Sequence, residues 1–141
     1  MRKGFTLVEL LITMVLVAVL ATVALTQYTT TLERGRAAQA ITILRDISDT
    51  WNAQYILNNN AYPAISEFNY DTFRTNYFSN PTLTLTGTTA TVSVTRSGNN
   101  GYTLTATNTE GELTEITCSG GATGDCSKIG MTLKNNKYVL E

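Results

Sequence analysis

The stretch "KGFTLVELLITMVLVAVLATVAL", Lys3 to Leu25, decides the reading of this chain, because it is apolar nearly throughout yet carries one carboxylate, Glu9, near its start. A helix rises about 1.5 Å per residue, so Phe5 to Leu25 reaches roughly the 30 Å of a bilayer's hydrocarbon core. Arg2 and Lys3 precede it, and such positive charge is retained on the cytoplasmic side. The N-terminus is therefore expected in the cytoplasm and everything beyond Gln27 on the far side. An acid inside a span is costly and signals a specific partner.

Composition divides the chain in the same way. Of 141 residues 43% are hydrophobic, an ordinary share for a folded protein, but after Gln27 the sequence turns to Thr, Asn, Ser and Gly. A secretory signal peptide also has a basic start and an apolar stretch. Its apolar part, however, runs about 7–15 residues and ends in a small-x-small cleavage site. "ATVALTQY", after Leu20, offers Ala-Thr-Val-Ala for that role. Neither a signal peptide nor an ordinary anchor accounts for Glu9.

"KGFTLVELL" resembles the type III prepilin signal of type IV pilins and type II secretion pseudopilins: a short basic leader ending in Gly4, then Phe5, then Glu9 four residues on. The resemblance implies cleavage between Gly4 and Phe5 by a membrane aspartic prepilin peptidase, followed by N-methylation at Phe5. It also implies that Glu9 meets the new terminus of a neighbouring subunit during assembly, which neutralises both charges and sets the register between helices. Pairing of Glu9 with Phe5 of the same chain is the alternative. Residues 1–4 then form a leader, 5–28 a transmembrane and filament-core helix, and 29–141 an exposed domain. The implied partners are the peptidase, the inner-membrane assembly machinery and other subunits of a homo-oligomeric filament. The protein would be single-pass in the inner membrane before assembly and part of an extracellular pilus after it. The chain departs from the family pattern in two respects: its first proline is Pro63, and no glycine lies between Gly4 and Gly35. Proline bends a helix by removing a hydrogen bond, so its absence predicts a straighter first helix, or melting during assembly without proline's help.

The helical signal continues past the span. Ala37, Ala40, Ile41, Leu44, Ile47, Trp51 and Tyr55 recur mostly at steps of three and four, an apolar stripe with Arg36, Arg45, Asp46 and Asp49 mostly off it. Asn58, Asn59 and Asn60 form a stop, because short polar side chains compete for backbone hydrogen bonds. One helix from Phe5 to about Leu57 would be on the order of 80 Å long, so its first half must project. In "NNNAYPAISEF", Pro63 pushes Tyr62 towards extended geometry. Phe68, Tyr70, Phe73, Tyr77 and Phe78 have no clean period and are expected in a loop or short helix that fills the core.

Beyond Pro81 the period becomes two. "TLTLT", "ATVSVT", "YTLTAT" and "ELTEITC" alternate apolar with polar, separated by turn signals at Gly87, Ser97–Gly101 and Asn108–Gly111. Four short-linked strands make an antiparallel meander, with Leu83, Leu85, Val92, Val94, Tyr102, Leu104 and Ala106 facing inward under the stripe through Trp51. Leu113 and Ile116 differ in parity and need a bulge to share a face. The expected class is α+β, a long N-terminal helix on a four-stranded antiparallel sheet, which is also what the pilin resemblance implies.

Cys118 and Cys126 are the only cysteines, both on the external side in a Gly- and Ser-rich segment, and an even count there reads as a disulfide formed in an oxidising periplasm. It resembles a short version of the C-terminal disulfide of type IV pilins. "YTLTAT" with its acidic turn and first cysteine also looks more like a type IV pilin than a major pseudopilin. With no His and two thiols, a metal site finds no donor set, and no cofactor is expected. Catalysis lacks parts too: there is no phosphate loop or nucleophile elbow, "CSGG" reads as a turn, and Glu112 and Glu115 point to opposite faces of a regular strand.

Two functions follow. The first is a structural pilin whose mature chain starts at Phe5 and serves motility, adhesion or DNA uptake. The second is a minor pilin binding a ligand such as DNA, or a type II secretion pseudopilin. Loss of Arg2 and Lys3 leaves 8 of the 10 basic side chains against 11 acidic ones, which disfavours nucleic acid except at a local strip of Lys128, Lys134 and Lys137.

Overall fold

The computed structural model describes residues 5–67, 75–98, 101–120, 125–135 and 137–140. Phe68, Tyr70 and Phe73, expected to fill the core, lie outside the described residues. Helix α1 runs unbroken from Leu7 to Leu57, 51 residues, about 77 Å at the standard rise. It passes Thr26 without interruption, as expected where neither proline nor glycine weakens the backbone. Thr6 caps its start in extended geometry, its hydroxyl accepting from the Glu9 N–H. Asn58 caps its end, and Asn59 and Asn60 follow at positive φ (54° and 59°), a conformation asparagine tolerates better than most residues.

The second half of α1 lies across the sheet. Ala37, Ala40, Leu44, Ile47, Trp51 and Tyr55 are buried and Ile41 packs against the cluster. Opposite them sit β1 (Thr82–Thr86), β2 (Thr89–Thr95), β3 (Tyr102–Thr109) and β4 (Glu112–Gly120), consecutive antiparallel neighbours. Leu83, Val92, Val94, Tyr102, Leu104 and Ala106 are buried as the alternation requires, and Leu85 is half-buried. Phe78 is buried and meets the Tyr102 ring edge-on, at 5.9 Å between centroids.

Among the described residues the sheet has six strands, not four: β5 (Thr132–Lys134) and β6 (Lys137–Val139) extend it in the order β1-β2-β3-β4-β6-β5. Three-residue strands are too short to display a period, and they exist because β6 pairs with β4 through Thr117–Val139 and Cys118–Tyr138. "CSGG" is accordingly not a turn at its start: β4 carries Cys118, Ser119 and Gly120 as strand. The expected bulge is present. Register shifts between Thr107 and Asn108, which face Glu115 and Leu113, so Thr114 is the extra residue. That bulge overturns the opposite-face reading of Glu112 and Glu115: they pair with Thr109 and Thr107 and share the outer face.

Two details fix the helix on the sheet. The β3–β4 connection has both central residues at positive φ, Glu110 at 54° and Gly111 at 83°, the geometry of a type I′ hairpin. A Cβ on Gly111 would lie 2.7 Å from Tyr55 Cδ1, so only glycine lets the turn approach α1 this closely. Beside it, Asn108 is fully buried and donates to Ser48 Oγ at 3.1 Å and to the Ala90 carbonyl at 3.3 Å. Its own side-chain oxygen accepts from Asn52 at 3.1 Å, and the Tyr62 hydroxyl donates to Asn52 at 3.0 Å while accepting from the Gly111 N–H. Each polar group in this chain of contacts is partnered, which burial away from water demands.

Candidate functional site

The uncovered half of α1 is the first candidate. Phe5 is 77% exposed, Leu7 87% and Leu20 69%, and none of the apolar window is buried. Soluble monomers rarely leave so much contiguous apolar surface to water. The threonines within it do not spoil its apolarity. Thr13, Thr22 and Thr26 donate their hydroxyls to the carbonyls of Leu10, Val19 and Val23 at 2.9, 2.7 and 2.9 Å, so their protons are satisfied within the helix.

Glu9 stands in the first turn of α1. Its N–H bonds the Thr6 hydroxyl at 3.3 Å, and that hydroxyl lies 3.5 Å from the carboxylate. Thr6-x-x-Glu9 is thus also a capping-box sequence, a signal present in the chain that a reading of Glu9 as an isolated acid passes over. The structure brings Glu9 and Phe5 to the same exposed helix end. Gly4, with Arg2 and Lys3, lies outside the described residues.

The second cluster sits where α1 meets the sheet. Glu33 accepts from Arg96 Nε at 2.6 Å, Arg96 Nη2 at 3.3 Å, Arg36 Nη1 at 3.1 Å and the Tyr102 hydroxyl at 3.0 Å. The Arg36 guanidinium also lies 4.6 Å from the centre of the Tyr77 ring. Burial pushes the Glu33 carboxyl up, but hydrogen bonds from Arg96, Arg36 and Tyr102, with the Arg96 charge, hold it below the usual 4.5. Burial first, then the Glu33 charge, push the Tyr102 phenol far above its ordinary range, so it stays a neutral donor. Arg36 is three residues from Glu33, but Arg96 and Tyr102 are 63 and 69 residues away in the chain, a separation that sequence periodicity does not register.

The direction of the Glu33 shift gives a pH dependence. Its folded value lies below the unfolded one, so its stabilisation is complete above about pH 4.5 and is lost as pH falls through the folded value. We expect the thermal midpoint of the wild type to fall on acidification below pH 4.5 more steeply than that of Glu33→Gln. Parallel midpoint curves for the two proteins would remove Glu33 from the acid response. At neutral pH the glutamine variant should lose about 1–2 kcal/mol, since charge-assisted bonds to Arg96 and Arg36 become neutral ones.

Cys118 and Cys126 form the expected disulfide, with Cα atoms 5.9 Å apart, joining β4 to the short helix α2 (Asp125–Lys128) and not two points of a loop. Closing a separation of eight residues stabilises the fold by about 2–3 kcal/mol in the chain-entropy account. Of the lysine strip, Lys134 and Lys137 face each other across the β5–β6 hairpin. Lys137 has Glu115 at 3.9 Å and Lys128 has Asp125 at 3.1 Å, so acids offset part of the strip's charge.

A projecting apolar helix continuous with an amphipathic half laid on an antiparallel sheet defines a pilin-like α+β subunit. Residues 1–25 match a family model described as the prokaryotic N-terminal methylation motif. The chain thus carries a prepilin-type signal of the type IV pilin and pseudopilin kind, which implies processing by a prepilin peptidase and assembly into a pilus or pseudopilus. Comparison with curated proteins and with solved structures finds no match for the chain.

Proposed function

We propose that the protein is a structural, non-enzymatic subunit of a type IV pilus. A prepilin peptidase cleaves it between Gly4 and Phe5 and methylates Phe5. Residues 5–28 hold it in the inner membrane, and the same residues then pack with those of other subunits in the core of a helical filament. The observation that carries this reading is the uncovered apolar half of α1, headed by the methylation motif. Such a surface needs lipid at one stage and neighbouring helices at another, because water tolerates neither its area nor its continuity.

Mass spectrometry of sheared surface fibres tests it. The expected subunit begins at methylated Phe5, lacks four residues of the 141 and keeps the disulfide. Gly4→Leu should accumulate as an unprocessed membrane precursor and give no fibres. Normal fibres from that variant would refute the processing step. Recovery of mature protein only in the cell envelope, never in sheared material, would move the assignment from a pilus to a pseudopilus.

A further inference from the structure

At the point where α1 leaves its apolar run, it borders an open cavity of about 520 Å³. Thr26, Thr29, Thr30 and Glu33 line it from the helix, and Asp125 and Lys128 from α2. The depth of this cavity follows from the span. Phe5 to Thr26 rises about 32 Å, enough to cross the hydrocarbon core, and the next turns rise through the layer of headgroups just outside it.

The chemistry of the lining is selective. Thr26, Thr29 and Thr30 lie at i, i+3 and i+4, hence on one face of the helix. Each sends its hydroxyl proton to a backbone carbonyl: Thr26 to Val23 at 2.9 Å, Thr29 and Thr30 to Thr26 at 3.0 Å each. What they offer the cavity is oxygen lone pairs, three acceptors without a proton. Glu33 is spent on Arg96, Arg36 and Tyr102. Lys128 supplies the positive charge, with a side chain 59% exposed beside Asp125. Arg96 lines the cavity too, so its charged lining groups are Glu33, Arg96, Asp125 and Lys128, which stand in two ion pairs, Glu33–Arg96 and Lys128–Asp125. The cavity therefore offers no excess positive charge to a purely anionic ligand, but does offer separate places for an anion and for an N–H donor.

We propose that this cavity holds the headgroup of a zwitterionic phospholipid with a primary amine, phosphoethanolamine, its phosphate on Lys128 and its ammonium on the hydroxyl oxygens of Thr26, Thr29 and Thr30. A primary ammonium has three N–H donors for three acceptors. A quaternary choline has none, and a phosphoglycerol headgroup carries no cation. The inference rests on the membrane-anchored stage proposed above.

The test uses the full chain in mild detergent, with phosphatidylethanolamine, phosphatidylcholine or phosphatidylglycerol of identical acyl chains added before native mass spectrometry. Flotation with vesicles of each lipid runs in parallel. Ethanolamine lipid should be retained about tenfold better than the other two, one to two hydrogen bonds' worth of discrimination. Thr29→Val with Thr30→Val keeps β-branched shape and removes two acceptors, and Lys128→Gln removes the cation. The threonine variant should bring retention of the ethanolamine lipid down to that of the choline lipid, and Lys128→Gln, which removes the partner of a phosphate that all three lipids share, should lower retention of all three, while flotation stays normal in both. Equal retention of all three lipids, or of glycerol and ethanolamine lipids alike, overturns the headgroup assignment while anchoring stands. A preference that survives the threonine variant, or retention that Lys128→Gln leaves unchanged, overturns the location. Failure to float with any vesicle overturns the anchoring reading and this proposal with it.

Discussion

Glu9→Ala is expected to reach the membrane at the wild-type level and to leave almost no sheared fibre. Insertion depends on the apolar run, and removing a charge from it makes insertion easier. Assembly is a different matter. In the proposed processing the Gly4–Phe5 bond is cut, Phe5 would then carry a charged amine at the edge of an apolar core, and burying such an amine without a counter-charge costs far more than burying it paired. Removing one partner of a buried pair costs about 3–5 kcal/mol, more than a hundredfold per subunit contact. The Glu9 carboxylate also lies 3.5 Å from the Thr6 hydroxyl, but the cap bond itself is donated by the Glu9 backbone N–H and outlasts the substitution, so the helix start should weaken by no more than about 1 kcal/mol. Glu9→Gln separates the two roles, because glutamine serves a capping box as well as glutamate but carries no charge. Fibre loss in both variants assigns the effect to charge. Normal fibre yield from Glu9→Gln, quantified against membrane-resident protein, would show that the carboxylate is a cap and no more.

The parts of the fold that were legible in the sequence are those with long periodic runs. The stripe from Ala37 to Tyr55 and the four strands from Thr82 to Cys118 each repeat often enough to fix which face is buried, and the conflict in parity between Leu113 and Ile116 located the bulge. The hairpin β5–β6 was missed because its pairing depends on the free edge of β4, a partner distant in the chain, and not on its own three-residue pattern. Asn108 occupies an inward register position, where a polar side chain breaks the alternation. It is tolerated because Ser48, Asn52 and the Ala90 carbonyl meet it, and that depends on how the helix is laid down. Most of the Glu33 cluster is similarly invisible: apart from Arg36 on the same helix, its arginine, Arg96, comes from just beyond β2 and its tyrosine from the start of β3, and only the folded sheet brings them to one carboxylate. The prepilin signal could be read directly, because residue order alone specifies a peptidase site, whereas the cavity at Thr26 to Lys128 needs three-dimensional juxtaposition of two helices.

Trp51→Ala is expected to be the most destabilising single change in the exposed domain. Trp51 is wholly buried at the centre of the helix–sheet interface and meets the Tyr62 ring edge-on, 5.5 Å between centroids. Truncating so large a buried aromatic costs about 3–5 kcal/mol, the lost transfer energy plus a cavity that β-strands on one side and a rigid helix on the other cannot close. A domain of this size has only about 5–15 kcal/mol to lose. The consequence is directional: the amphipathic half of α1 should detach from the sheet while residues 5–28 stay in the membrane, since their anchoring depends on lipid and not on Trp51. Limited proteolysis of the full chain in detergent reads this as early cleavage beyond Thr29 with the anchor fragment intact, and denaturant unfolding followed by circular dichroism gives the magnitude. Trp51→Phe, which keeps an apolar ring for Tyr62 to pack on, should lose distinctly less. If Trp51→Ala resists protease as well as the wild type and its unfolding midpoint is unchanged, the helix is held chiefly by the polar chain through Asn108 and the Glu33 cluster, and apolar packing around Trp51 is not what binds it to the sheet.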